Sequence, residues 1–97
     1  ANDPELYLRY LPLERALEFS RSPWQGESTV RGVGFVSRLK TIDTFHVGFL
    51  LLDRGEKPVL RDASFKFGKV LDHPLEEYLE SWRGTGKVPG IILFEFL

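Results

Sequence analysis

The run Thr44-Phe45-His46-Val47-Gly48-Phe49-Leu50-Leu51-Leu52 is followed by Asp53-Arg54-Gly55-Glu56-Lys57, and then by a second β-rich run from Pro58 to Phe67. Two β-rich stretches around a short Asp/Gly-containing turn read as a hairpin. Side chains alternate along a strand, so His46, Gly48, Leu50 and Leu52 share one face, and Phe45, Val47, Phe49 and Leu51 share the other. A strand apolar on both faces is expected at the centre of a sheet, with cover on both sides. A turn centred near Gly55 pairs positions whose numbers sum to about 110, which sets Gly48 opposite Asp62 and His46 opposite Ser64. A register slip of two residues still leaves His46 and Asp62 on one face.

Outward from this hairpin, Val30 to Ser37 reads as another strand, in which Gly32 and Gly34 mark a bulge or a close backbone approach. Residues 1–28 read as a helical and loop segment. Leu13, Ala16 and Leu17 suit a short helix, Asp3-Pro4 suits the opening of an earlier one, and Pro12 prevents a single helix throughout. Pro23 and Gly26 punctuate a loop from Ser20 to Ser28. Asp72 to Gly84 reads as a helix with Pro74 at its first position, Glu76 and Glu77 in its first turn, and Leu75, Tyr78, Leu79 and Trp82 as its apolar stripe. The run from Gly90 to Leu97 reads as a mostly buried strand. The class is α+β: a largely antiparallel sheet, short N-terminal helices, and one helix before the last strand. The whole chain, 1–97, is read as a single domain or the C-terminal part of one, with 29–97 holding the sheet and its helix.

Composition narrows the function. Of 97 residues, 42% are apolar and 28% charged, ordinary values for a globular domain. The net charge is −1, and neither half carries a basic excess, so nucleic acid is not an expected partner. No apolar run reaches the roughly 20 residues of a membrane span. The chain contains no cysteine, which excludes a disulfide framework, a thiolate metal site and a cysteine nucleophile within these residues.

His46 stands out as the polar exception in an apolar strand. A core histidine is the plain reading, but Asp62 on the same face of the neighbouring strand changes the chemistry available. A carboxylate that fixes an imidazole's tautomer and stabilises its charged form is the base half of a nucleophile–base–orienter triad. Gly48, with no side chain, leaves room between the two. Ser64 is a second candidate neighbour of His46. His73, beside Pro74, reads as a surface or capping residue. No serine lies in a Gly-x-Ser-x-Gly elbow, and neither a metal site nor a cofactor site is expected.

The residues Ile42-Asp43-Thr44-Phe45-His46-Val47-Gly48-Phe49, then Leu60-Arg61-Asp62-Ala63-Ser64, Gly68-Lys69-Val70, the Leu75-to-Leu79 helix and Gly90-Ile91-Ile92 form an ordered pattern. From Val30 to Leu97 it resembles the C-terminal half of the bacterial N-acetylmuramoyl-L-alanine amidase-like family, papain-like cysteine hydrolases related to the NlpC-type cell-wall peptidases. The resemblance implies a papain-like fold, a general base at His46, an orienting group at Asp62, and a peptidoglycan or muropeptide substrate in the cell envelope, periplasmic or secreted. Trp24 and Ser64 are the candidate substrate contacts. The chain departs from the family in lacking the nucleophilic cysteine and the Gly-Asp pair of the first sheet strand, where Gly32-Val33-Gly34 stands instead. The thiol is therefore expected from a second chain or from sequence beyond these residues. The face holding His46 is then expected to expose a concave or apolar surface for that segment. Two readings stay open beside this one: a non-catalytic papain-like module that binds peptidoglycan or a protein partner, and a structural domain in which His46 is core.

Overall fold

A computed structural model describes residues 5–38, 40–41, 43–64 and 66–96. Asp3-Pro4, Ile42, Phe65 and Leu97, on which parts of the sequence reading draw, lie outside them. The chain runs β1 (Leu6–Pro12), α1 (Leu13–Arg21), β2 (Thr29–Arg38), β3 (Asp43–Leu52), β4 (Val59–Ser64), β5 (Lys69–Pro74), α2 (Leu75–Glu80) and β6 (Gly90–Phe96). The six strands form one antiparallel sheet in the order β1-β6-β2-β3-β4-β5. The class is α+β, as the periodicities imply.

Two elements correct the sequence reading. The stretch taken as N-terminal helical material begins with a strand. Leu6, Leu8 and Tyr10 alternate with Tyr7, Arg9 and Leu11, a period of two that lets β1 pair with β6 from Leu6↔Phe96 to Pro12↔Gly90. Among the described residues one N-terminal helix follows it. Its buried residues are Ala16, Leu17 and Ser20, with Glu14 in the first turn and Arg21 in the last, each favourable to the helix dipole. The second correction is β5. Gly68, at a φ of 63°, closes a turn in which its N–H donates to Ser64 O at 2.8 Å. Lys69 to Pro74 then return along β4. Pro74 disfavours helical backbone at His73, so α2 starts only at Leu75 and is shorter than the helix expected from Asp72.

Both helices lie on the same face of the sheet. Ala16, Leu17, Leu75 and Leu79 pack against Val33, Phe35, Leu50, Leu52, Leu60, Ile91 and Leu93 in one buried core. Ion pairs from Arg21 to Glu76 and Glu80 tie the helices together. β3 is central, as expected, but among the described residues it is covered on one side only. Val47 and Phe49 are more than half exposed, as are Leu8, Val30 and Val70 on the same open face. There, Leu6, Val47, Phe49, Val70 and Phe94 wall a groove of about 620 Å³. Most of the exposed apolar surface is thus on the face opposite His46, whereas the chain's own helices pack over the His46 face and leave the His46 side chain 22% exposed. This reverses the expectation that the His46 face would be the open one. Gly32 and Gly34 prove to be close approaches beneath Phe94, since a Cβ on either would meet its ring within 3.4 Å. The bulge itself falls a little further on, between Phe35 and Val36.

Candidate functional site

His46 enters the structure through that bulge. β3 is in register with β2 up to Phe35↔His46, and the next pair is Val36↔Thr44, so Phe45 is the extra residue. The bulge brings Phe45 toward the turn that follows α2, where its ring meets Trp82 at 5.4 Å, edge to face. His46 stays on the helix-covered face, beside Phe35 at 5.7 Å and stacked on Tyr78 of α2 at 5.8 Å, with ring planes 17° apart.

β4 supplies the partner. The ladder Phe49↔Arg61, Leu50↔Leu60 and Leu51↔Val59 has the register expected from the turn. It carries Asp62 to the row of Gly48. The missing Cβ of Gly48 is what permits this approach, since one would lie 2.8 Å from Arg61 O and 3.2 Å from Asp62 Cβ. His46 Nε2 lies 2.6 Å from Asp62 Oδ2. The Asp62 side chain is 7% exposed and that of His46 22%. A buried carboxylate needs hydrogen-bond donors to offset its lost hydration.

The second donor is a residue the sequence reading set aside. His73 Nε2 lies 2.8 Å from Asp62 Oδ1. In the β4–β5 register Asp62 faces Leu71 and Leu60 faces His73, so strand parity turns both His73 and Asp62 to the helix-covered face. The Tyr78 ring meets His73 edge-on at 5.7 Å. Burial holds the Tyr78 hydroxyl above its ordinary pKa, and the Asp62 charge acts in the same sense. One carboxylate therefore bridges two imidazoles, and one tyrosine touches both. An ionised carboxylate only accepts, so both Nε2 atoms carry hydrogen, and in the neutral form of each ring the Nδ1 lone pair remains for other partners. Among the described residues, neither Nδ1 makes a hydrogen bond, and no group of side chains is arranged to hold a metal ion.

The remaining sequence candidates lie elsewhere. Ser64 ends β4, and its Oγ accepts the Phe67 N–H at 3.3 Å, so the hydroxyl serves the turn rather than His46. Trp24 donates its indole N–H to Glu27 O at 2.9 Å, packs edge-on against Phe19, and carries the Arg31 guanidinium 5.2 Å above its ring. Arg31 pairs with Leu50, four residues along β3 from His46, or about 13 Å at the usual strand rise. Trp24 instead borders a separate cleft of about 430 Å³ with Arg9, Arg15 and Arg31.

Comparison with protein-family models, with curated proteins and with solved structures finds no match to this chain.

Proposed function

We propose that His46 and Asp62 are the general base and the orienting group of a cysteine-type amide hydrolase acting on bacterial cell-wall peptidoglycan. The thiol would come from a second chain or from sequence outside these 97 residues, and the setting would be the cell envelope, as in the papain-like amidase family whose motifs the chain resembles. The observation that supports this most directly is the 2.6 Å contact between His46 Nε2 and Asp62 Oδ2, with Nδ1 left without a partner among the described residues. Binding the carboxylate through Nε2 leaves Nδ1 as the basic atom. Nδ1 takes the thiol proton, and Asp62 stabilises the resulting imidazolium. The thiolate adds to the amide carbon. Collapse of the tetrahedral intermediate breaks the C–N bond as Nδ1–H protonates the leaving amine. Water, deprotonated by Nδ1, then hydrolyses the thioester and regenerates the thiol.

A second reading, a peptidoglycan- or protein-binding module without catalysis, is favoured by the absence of cysteine from the chain. Release of free amine from muropeptides by the natural gene product separates the two. Turnover is expected there, with His46→Ala abolishing it. Asp62→Asn should cost less than the roughly 10⁴-fold seen when a triad orienter is lost, because a thiolate–imidazolium pair forms without it. The 97-residue chain alone should be inactive. Turnover by this chain alone would assign the nucleophile to a serine or water, and binding without turnover by the natural product would favour the module.

A further inference from the structure

We infer that His73 is a positioning residue for the His46 base, acting through Asp62; this rests on the hydrolase reading for its consequence but not for its geometry. Asp62 lies on β4, between the strands that carry the two histidines, and offers one oxygen to each: Oδ2 to His46 at 2.6 Å and Oδ1 to His73 at 2.8 Å. A carboxylate held at one oxygen only can swing about its Cβ–Cγ bond. Held at both, it presents a fixed oxygen to His46.

The holding group is itself fixed. His73 is set by the β4–β5 ladder, one residue before Pro74, and its ring meets the edge of Tyr78 at 5.7 Å. Tyr78 stacks on His46 as well. The two imidazoles are therefore oriented by the same tyrosine and the same carboxylate. Neither histidine is fully buried, with side chains 22% and 32% exposed, whereas the aspartate between them is 7% exposed. Inside such a shielded site a donor to an ionised acceptor is a strong hydrogen bond. Through it, His73 holds the proton of neutral His46 on Nε2 and keeps Nδ1 free to accept.

The test uses long-range proton–nitrogen correlation spectra of the chain, recorded at a pH at which the His46 ring nitrogens themselves report the neutral form. Wild type should show His46 in the single Nε2–H tautomer. His73→Ala should lower the ratio of Nε2–H to Nδ1–H forms of His46 by up to about tenfold, since the carboxylate that selects the tautomer is then held at one oxygen only, and the worth of one hydrogen bond to a charged group sets the upper bound. His73→Gln, which restores an N–H donor, should recover most of it. Amide dispersion like that of wild type in both variants shows that they fold. In the natural gene product His73→Ala should lower kcat about tenfold with KM unchanged. An unchanged His46 tautomer in His73→Ala, or His73→Gln behaving like His73→Ala while folded, overturns the inference. If His46→Ala abolishes turnover while His73→Ala leaves it intact, the inference also fails and the hydrolase reading stands. If no form turns over muropeptides but the tautomer shifts as described, the positioning role stands and the hydrolase reading fails.

Discussion

Tyr78 is where the chemistry and stability of the site meet at the scale of one residue. Its ring orients both imidazoles, and burial, with the nearby Asp62 charge, raises the pKa of its hydroxyl above 10.0. The protonated form is the neutral one, so folding opposes its ionisation. The stability this contributes is complete below the unfolded value and is lost as pH rises through the folded value. Denaturation midpoints measured between about pH 9 and 11 should therefore fall with pH. Tyr78→Phe should flatten part of that slope while keeping the ring contacts; an identical slope in the variant would show that Tyr78 does not contribute it. Tyr78 itself is legible in sequence as a member of the α2 stripe, and the His46–Asp62 juxtaposition is legible because parity survives a register error. His73 is not. Pro74, Glu76 and Glu77 are genuine helix-start signals, and they draw the preceding residues into a helix that the chain begins only at Leu75.

At the scale of elements, the β3–β4 pair depends on a missing side chain. A Cβ on Gly48 would lie 2.8 Å from a backbone oxygen of β4, which cannot turn aside as a flexible side chain can. Gly48→Ala should push β4 away, lengthen the His46–Asp62 contact, and cost about 1–3 kcal/mol, the usual range for overpacking. A denaturant titration checks the stability, and the His46 tautomer ratio checks the geometry. Wild-type values of both would mean that the strands accommodate the methyl without moving. The hairpin itself was readable because its turn residues and apolar runs agree. β1 was not, because Leu and Arg are good helix formers and the strand pairs with β6, some eighty positions away in the chain. Local propensity cannot see a partner at that separation.

At the scale of the molecule the decisive asymmetry is that, among the described residues, two helices of nine and six residues cover a six-stranded sheet from one side. An apolar pattern on both faces of β3 reports that both faces suit burial, but not whether this chain buries them. That depends on how much helix is available, and both helices are drawn to the same core. Phe35 and Phe49 measure the difference. Phe35 is fully buried against α2, with Tyr78 at 4.6 Å, whereas Phe49 is 56% exposed on the open face. Phe35→Ala should cost about 3–5 kcal/mol, a large fraction of the roughly 5–15 kcal/mol that stabilises a domain of this size. Phe49→Ala removes the same atoms but leaves no enclosed cavity, so the penalty that comes from unfilled space is absent. Its cost should stay below about 1 kcal/mol, near the range of surface substitutions. Equilibrium unfolding of the two variants tests the layering directly. Equal losses would mean that the open face is covered in solution and that the sheet has a second core layer.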